Sequence, residues 1–483
     1  MIATRRGLIG GAAATAAFAG LARYAAAAQR PGDVEADPYA SEVAGYGPLR
    51  TDPFGVFDLP DGFSYTIVSR AGEAMSDGFA TPYSMDGMGC FAVGEDRVAL
   101  VRNHELSVDQ SDYGAFGVSQ VLADRFKGDL AYDRDQDGRL LTGGTTTLVY
   151  DLRRRKLEAS HLSLAGTIRN CAGGITPWGS WLSCEEVVQS AGRQTNGRGV
   201  MKSHGWVFEV PSGARSPVEP RPITGLGRFR HEAACVDPRT GVVYLTEDET
   251  DGYGLFYRFL PQDRRNLHAG GRLQALGLRD NRDYGDTRNW DQADLRVGDW
   301  RDVVWIDLDG TDNPDEALRA RGHARGAAWF ARGEGIFFGR GELFFACTSG
   351  GPKRYGQIMR YRPSEQEGQP AERDQPGRLQ LFVEPADPKV LNMADNLAVA
   401  PWGHLFVCED KVGAGAVNYL RAVTPDGKVY TVGRQAIPGD TDVGANSEIA
   451  GVCFSPDGTT LFLNVYTPGM TLAITGPWSR FAA

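Results

Sequence analysis

The sequence lacks several features that would assign it to a common class of protein. Beyond residues 1–28, no stretch approaches the ~20 consecutive apolar residues of a membrane-spanning helix. It has no G-x-S-x-G elbow, Walker loop or dinucleotide fingerprint in a strand-helix context, which disfavours serine hydrolases and nucleotide-dependent enzymes. The chain also has fewer basic than acidic residues, with 51 Lys and Arg against 61 Asp and Glu. The net charge of -10 argues against a nucleic-acid partner, whose phosphates need a basic surface.

Cysteine is scarce as well, with seven residues in 483. The number is odd, so at least one thiol is unpaired. Six of the seven lie in apolar, strand-like runs, where buried and inert thiols are expected. Cys171 differs from them because it lies between polar residues and glycines, in the segment Arg169–Gly174.

The N-terminus has the pattern of an export signal. Two arginines, Arg5 and Arg6, precede a small-residue apolar stretch that ends in four alanines at 25–28. This pattern is typical of a twin-arginine signal peptide over 1–28. The alternative is a basic N-terminus before an alanine-rich helix. A twin-arginine signal predicts export of the folded chain by the Tat translocase to the periplasm or the medium, a route suited to a protein that acquires metal in the cytoplasm.

Six short segments share one pattern, in which an acid or a cysteine opens an apolar run that closes on a glycine turn. The opening residues are Asp86, Cys171, Glu232, Glu334, Asp395 and Glu448, and the turns are Gly94, Gly179, Gly241, Gly341, Gly403 and Gly458. Each unit reads as a hairpin of two antiparallel strands. The spacing leaves room for a four-stranded blade of ~40–50 residues in each repeat. The pattern predicts an all-β fold, a six-bladed β-propeller with inter-strand insertions, over a β-sandwich with coincidental spacing.

The predicted propeller occupies residues 61–483 as a single domain. Residues 29–60 are rich in proline, glycine and aspartate and are expected to form an N-terminal extension. The polar segments 187–204, 262–300 and 363–375 are predicted to be insertions between strands. None of these segments has the composition of an independent domain. We also expect the protein to be a monomer.

Two sets of side chains are predicted to converge at one mouth of the central channel. The first set consists of the six opening residues. The second lies six residues past five of the turns, at Glu185, Glu247, Cys347, Glu409 and Asn464. Its acids Glu185, Glu247 and Glu409 form a second tier of candidate metal ligands.

Such a ring of acids needs protons or cations to be stable. Two carboxylates ~5 Å apart repel each other by about 3 kcal/mol at an effective dielectric constant of ~20. Oxygen-rich ligand sets favour calcium, whereas a thiolate such as that of Cys171 calls for a transition metal. The pattern therefore predicts a mixed, multinuclear metal site.

Arginine recurs two residues before three of the candidate ligands, at Arg169, Arg230 and Arg332. Residues two apart on a strand face the same side, so these guanidinium groups can point toward the same mouth. Their planar donor fork fits phosphate oxygens. For Arg169 and Arg230 a structural ion pair is an equal alternative, whereas Arg332 is favoured as functional.

Two further motifs carry weaker signals. The segment Asp133–Gly138 matches the first half of a calcium-binding loop, but the twelfth position is Gly144 rather than glutamate, so a surface turn is the alternative. His104 and His231 could supply imidazole ligands, although a buried structural histidine is the default for both.

These motifs resemble those of the PhoX family of alkaline phosphatases. The matching segments are Gly166–Glu186, Arg230–Glu232, Ala331–Gly335, Ala394–Leu397, Glu448–Gly458 and Pro468–Trp478. The resemblance covers essentially the whole mature chain. It implies a six-bladed propeller, exported by the twin-arginine route, that hydrolyses small phosphate monoesters with a cluster of Fe³⁺ and Ca²⁺ ions.

The resemblance also implies roles for individual residues. Cys171 would ligate iron, Glu232 and Glu334 would ligate the cluster, and Arg332 would bind the substrate phosphate. The implied catalytic set is therefore Arg332, Cys171 and Glu334. The remaining ligand positions would be filled by Asp86, Asp395 and Glu448.

Two other functions are compatible with a metal-binding propeller. One is a calcium-dependent lactonase or phosphotriesterase, for which a single calcium ion at the channel mouth would suffice. The other is a binding propeller that uses its metals only structurally. The lactonase or phosphotriesterase needs no thiolate ligand or iron, so a metal census of the purified protein would distinguish it from a phosphatase. Retained metals with no turnover of phosphate esters or lactones would favour the binding propeller.

Overall fold

Antiparallel strands make up almost all the regular structure in the computed structural model, which describes residues 39–195, 198–281, 285–411, 416–437 and 448–481. The predicted signal peptide at 1–28 lies outside these residues. Within them, the chain forms one α-helix, α1 (Leu318–Ala324), and several short 3-10 turns. Five of the six predicted turn glycines, among them Gly403 with φ +94°, adopt the left-handed backbone conformation that favours glycine.

Three of the sheets contain three or four strands each. The first has the order β4 (Met85–Ala92), β5 (Arg97–His104), β6 (Gly143–Asp151), β7 (Lys156–Thr167). The second has the order β8 (Asn170–Ile175), β9 (Ser180–Glu185), β12 (Val207–Pro211). The third has the order β26 (Ile449–Phe454), β27 (Thr460–Val465), β28 (Met470–Thr475), β3 (Ser64–Arg70).

Two larger sheets and a short ribbon complete the fold. A six-stranded sheet has the order β1 (Leu49–Arg50), β2 (Phe57–Pro60), β25 (Val429–Gln435), β24 (Tyr419–Val423), β23 (Leu405–Glu409), β22 (Ala394–Val399). A nine-stranded sheet has the order β13 (His231–Val236), β14 (Val243–Glu247), β15 (Phe256–Pro261), β16 (Gly271–Leu278), β17 (Trp300–Asp307), β21 (Arg378–Val383), β20 (Gln357–Arg362), β19 (Glu342–Cys347), β18 (Gly333–Gly339). The ribbon pairs β10 (Gln194–Thr195) with β11 (Arg198–Gly199).

The first strands of the six hairpins line a central channel. Strands β4, β8, β13, β18, β22 and β26 contact one another in that order, and β26 contacts β4, so the ring is closed. The chain also closes on itself, because β3 near the N-terminus pairs with β28 near the C-terminus. The predicted all-β, propeller-like fold is confirmed.

Two segments differ from the sequence-based predictions. Residues 271–278 were predicted to lie in an insertion, but they form β16, a regular strand paired with β15 and β17. The segment expected to be an extension contributes β1 and β2, and β2 pairs with β25 at a sheet edge. The polar composition of 262–300 as a whole hid β16, although residues 273–278 of the strand are all buried.

The hydrophobic core lies between neighbouring sheets. One large cluster joins the sheet of β22–β25 to the sheet of β26–β28 and includes Phe406, Tyr430 and Trp478, all of them buried. Burial of such aromatic side chains stabilises the stacked sheets, which could not bury a face alone. In the described part of the chain, no helix has the length and apolarity needed to cross a membrane.

Candidate metal centre

Each inner strand carries a β-bulge near its start, at the mouth of the channel. The register shifts between Met85 and Met88, Asn170 and Gly173, His231 and Ala234, Gly333 and Ile336, Ala394 and Leu397, and Ala450 and Cys453. In the first five strands the predicted ligand lies inside the bulge. Because a bulge bends the strand and re-aims a side chain, it turns these residues toward the channel mouth.

The sixth strand departs from the predicted register. Its bulge begins at Gly451, and the preceding residue, Ala450, pairs with Asn464 as Asn170 pairs with Glu185. Gly451 is therefore equivalent to the other ligands, and Glu448 lies three residues earlier, just before β26. Glu448 still belongs to the cluster of acids, because the charges of Asp410, Asp86 and Asp395 add to burial in raising its pKa.

Three groups of side chains have ligand atoms within 4.8 Å of one another. They are Asp86 with Glu105 and Cys171, then Cys171 with Glu186 and Glu232, and lastly Glu232 with Glu334 and Asp395. Successive groups share Cys171 and Glu232, so the three form one continuous site. Five of the six predicted opening residues, all but Glu448, therefore meet in this set.

The electrostatics of the site call for cations. Burial is the main cause that raises the pKa of Asp86, Glu232 and Glu334 well above the usual range. Both carboxylate oxygens of Glu232 and Oδ1 of Asp86 are buried without a hydrogen-bond partner. Orphaned buried oxygens are costly, and a bound cation would satisfy them.

The donor set combines one thiol with several carboxylates. Cys171 donates a hydrogen bond from Sγ to Oδ2 of Asp86 (3.3 Å), and burial raises its pKa well above the usual value. A nearby polyvalent cation would deprotonate such a thiol and take it as a ligand. The surrounding carboxylates supply the hard oxygen ligands that calcium prefers.

The three arginines of the motif surround the same mouth. Arg169 forms ion pairs with Glu105 and Glu186, and Arg230 pairs with Glu186. Arg169 and Arg332 have positive φ angles of 47° and 57°, so the strand geometry assumed from sequence does not hold for them. Their side chains nevertheless reach the cluster.

The guanidinium group of Arg332 is hydrogen-bonded through Nε and Nη2, along one edge. Nε and Nη2 donate to the two oxygens of Asp248, at 2.9 and 2.7 Å, and Nη2 also donates to Glu334 at 3.0 Å. Burial alone would lower the pKa of Arg332, but Glu334 and Asp248 raise it, so the group is a fixed cation. Among the described residues, Nη1 has no acceptor, which leaves it free for a substrate.

The second-tier acids Glu185, Glu247 and Glu409 do not join the three ligand groups. Glu185 accepts hydrogen bonds from the backbone N–H groups of 168, 205 and 206. Glu247 accepts from the N–H of Leu255 and the hydroxyl of Tyr257, and Glu409 accepts from Arg421. The oxygens of these acids are thus engaged with their own hairpins.

The weaker motifs also have structural partners. Asp133 accepts hydrogen bonds from the N–H groups of Met201 and Lys202 and lies 3.2 Å from Nε2 of His204. His104 contacts the carbonyl of Tyr83, and His231 contacts that of Gly227. Burial lowers the pKa of both His104 and His231, and neither belongs to a ligand group.

Sequence reasoning missed Glu105 and Glu186 as candidate ligands. Glu186 follows Glu185 by one position, as Asp248 follows Glu247 and Asp410 follows Glu409. These doubled acids were the signal that could have identified Glu186. In each pair the first acid holds the hairpin and the second reaches the cluster. Glu105 follows His104, which pairs with Met85 as Glu185 pairs with Asn170, and only this pairing reveals its position.

Comparisons with known proteins agree with this geometry. The family described as Alkaline phosphatase PhoX matches residues 44–469. The search of curated proteins returned no match. A solved structure of Pseudomonas fluorescens PhoX in complex with vanadate is 19% identical, with a TM-score of 0.62 over 91% of this chain and 97% of that one. A putative 6-phosphogluconolactonase from Bacteroides uniformis is 10% identical, and the match covers 83% of this chain and 89% of that chain. Its TM-score is only 0.37.

The family match extends over most of the described residues and includes all the ligand groups. It confirms the resemblance seen in the sequence and does not favour the lactonase or the non-catalytic alternative. The chain belongs to the alkaline phosphatase PhoX family and is a metal-dependent phosphomonoesterase.

Proposed function

We propose that the protein hydrolyses small phosphate monoesters at a mixed cluster of Fe³⁺ and Ca²⁺ ions held at the channel mouth. The observation that carries the proposal is the position of Cys171, whose thiol belongs to two adjacent ligand groups otherwise made of carboxylates. A lone soft donor in a hard oxygen set is unnecessary for calcium alone but suits iron.

The proposed ligands are the members of the three groups together with Glu448. They are Asp86, Glu105, Cys171, Glu186, Glu232, Glu334, Asp395 and Glu448. Cys171 would bind iron, and the carboxylates would bind iron and calcium. We propose that Glu185, Glu247 and Glu409 keep their hydrogen bonds and stabilise the hairpins that carry the ligands.

Arg332 provides the main substrate contact in this proposal. When bound, the metal ions supply Lewis acidity toward the phosphoryl oxygens. Arg332 presents Nη1 to a phosphate oxygen, while Asp248 fixes the orientation of the guanidinium plane. Because negative charge shifts among the phosphoryl oxygens during transfer, a fixed donor there stabilises the transition state more than the substrate. Glu334 accepts a hydrogen bond from Nη2 of Arg332 and would also hold a metal ion, and so would couple the two.

We further propose that the six hairpins belong to six propeller blades and that the chain is exported as a monomer by the Tat translocase to the periplasm or the medium. The closed ring of six inner strands supports the blade count. It requires that β17, which pairs with both β16 and β21, joins two blades into the nine-stranded sheet. Arg5 and Arg6 support the export route.

The test combines metal analysis with activity. Purified protein is expected to contain iron and calcium and to hydrolyse p-nitrophenyl phosphate at alkaline pH. Cys171→Ala is expected to lose iron and turnover together. Cys90→Ala is a matched control, because Cys90 lies on an inner strand away from the ligand groups. Iron-free wild-type protein with full activity would overturn the proposed cluster.

A further inference from the structure

The loop that joins β19 to β20, residues 348–356, lies on the rim of the channel mouth. We call it the rim loop. The N–H of Thr348 donates to the carbonyl of Arg332 (3.0 Å), and the carbonyl of Tyr355 accepts from the N–H of Met393 (2.8 Å). Met393 is two residues before the ligand Asp395. The rim loop is therefore bonded at one end beside the phosphate-binding arginine and at the other end beside the metal site.

An exposed arginine of the rim loop is fixed by stacking. The guanidinium carbon of Arg354 lies 3.8 Å from the ring centroid of Trp290. Trp290 is itself anchored, because its indole N–H donates to the carbonyl of Ser349 (2.7 Å). A second guanidinium, that of Arg288, lies 4.3 Å from the same ring. The stack holds the Arg354 guanidinium in place without neutralising it.

Arg354 differs in its ion pairing from the other arginines near the mouth. Arg169, Arg230 and Arg332 are each paired with carboxylates, and Arg288 is paired with Asp286. Arg354 has no carboxylate within ion-pair distance among the described residues. The net charge of the chain is -10. A fixed and unpaired guanidinium beside an acid-rich site therefore creates a local positive potential that attracts an anion.

We propose that Arg354 forms a subsite for the leaving group, which binds a second anionic group on the alcohol of the substrate. The proposal rests on the proposed function. The phosphoryl group binds at Arg332 and the metal cluster, and the alcohol then extends over the rim loop toward Arg354. The subsite favours phosphate monoesters whose alcohol carries a carboxylate or a further phosphate, because either presents oxygens that a pre-oriented guanidinium binds.

A matched pair of substrates isolates this contact. 3-Phosphoglycerate and glycerol 3-phosphate share a three-carbon skeleton and differ by a carboxylate in place of a hydroxymethyl group. The metal-loaded wild-type enzyme is expected to have a kcat/KM about fivefold higher for 3-phosphoglycerate at low salt, mainly through KM, as for one partly exposed ion pair. The preference is expected to shrink as salt is added.

Two variants complete the test. Arg354→Gln is expected to abolish the preference and to leave kcat/KM for glycerol 3-phosphate unchanged. Arg340→Gln is the control, because Arg340 is an exposed arginine at the opposite end of the same hairpin, and it is expected to keep the preference. A wild-type enzyme that hydrolyses both substrates equally well, or an Arg354→Gln enzyme that keeps the preference, overturns the subsite. A wild-type enzyme that hydrolyses neither overturns the proposed function instead.

Discussion

The side-chain amide of Asn103 donates a hydrogen bond of 3.1 Å to the main-chain carbonyl of Cys171, across the boundary between two neighbouring sheets. The same amide donates to the carbonyl of Ala172 at 2.7 Å. Its oxygen accepts from the indole of Trp181 and the hydroxyl of Ser183, both at 2.9 Å. All the hydrogen-bonding positions of the amide are used, so Asn103 fixes the bulge that presents the thiol.

Other bulges are held in the same way by the adjacent hairpin. Thr246 donates to the carbonyl of Glu334 (2.6 Å), and Asn464 donates to the carbonyl of Asp86 (2.5 Å). The backbones of Cys171, Glu334 and Asp86 are therefore each positioned by a side chain from a neighbouring hairpin. The relative positions of the ligands depend on contacts between sheets as much as on the strands themselves.

Replacement of Asn103 is predicted to damage the metal site more than the fold. Asn103→Leu would remove the donor to two buried carbonyls and the acceptor of the Trp181 indole and the Ser183 hydroxyl, at a cost of about 2 to 4 kcal/mol of unfolding free energy. We expect the variant to fold but to retain much less iron per chain, measured by elemental analysis. Asn313→Gly removes another buried amide, which bonds to the backbone of Arg228 and Leu318 and to no ligand, and should lower stability without loss of iron. Equal iron retention in the two variants would contradict the role of Asn103.

The repeat of ligand, apolar run and turn glycine could be predicted from the sequence because each element repeats a local pattern. Alternating side chains and glycine turns predict hairpins. The repetition of these hairpins along the chain predicts that their first residues lie at the same end of the fold. The same logic explains why Asp86, Cys171, Glu232, Glu334 and Asp395 were all found. Each lies seven to nine residues before its turn glycine, near the start of its strand.

The positions of the remaining residues of the site could not be predicted from a local sequence pattern. Glu105 and Glu186 lie just past a strand end, where a loop rather than a strand period sets their direction. Glu448 was aligned by its turn glycine, but only the bulge reveals that Gly451 is the equivalent residue. The ion pair of Arg332 with Asp248 joins residues 84 positions apart, and no local pattern predicts it.

Loss of the Arg332 guanidinium is predicted to slow catalysis strongly. Arg332→Gln removes one donor aimed at developing charge, which typically lowers kcat about 100- to 1,000-fold. Asp248→Asn should have a smaller effect, seen mostly in KM, because it loosens the orientation of Arg332 but keeps the cation. Steady-state kinetics on p-nitrophenyl phosphate measure both. Arg97→Gln, at an exposed ion pair with Glu158, is a control that should change neither constant.

Gly451 is predicted to be intolerant of a side chain. Its φ is +62°, and a Cβ atom there would lie 2.4 Å from the carbonyl oxygen of Asp86. Gly451→Ala therefore adds a backbone clash to a conformational cost of about 1 to 2 kcal/mol. Gly341→Ala is the matched control, because Gly341 has φ +81° but open space around the added atom. We expect Gly451→Ala to lower both the melting temperature and metal retention, and Gly341→Ala to lower only the melting temperature, modestly. A Gly451→Ala protein with normal metal content would show that the Asp86 bulge can adjust.

The stability of the metal-free protein is predicted to fall as pH rises. Burial, followed by nearby carboxylates, raises the pKa of Asp395 to about 7, and burial raises that of Glu105 to about 7 despite the favourable charge of Arg169. In the unfolded chain both groups titrate near 4. Between these values the folded state binds more protons than the unfolded state, so stability is lost as pH rises from about 4 through about 7.

Thermal unfolding of chelator-treated protein at pH values from 5 to 8 measures this dependence. We expect the melting temperature to decrease steadily over the range. The metal-loaded protein should not show the decrease, because cations replace protons at the same oxygens. Glu232→Gln removes a buried acid without a partner, so it should raise the melting temperature of the metal-free protein at pH 8 and lower that of the loaded protein. A metal-free protein that is as stable at pH 8 as at pH 5 would mean that the acids of the mouth are not held close together, and the proposed cluster would lose its physical basis.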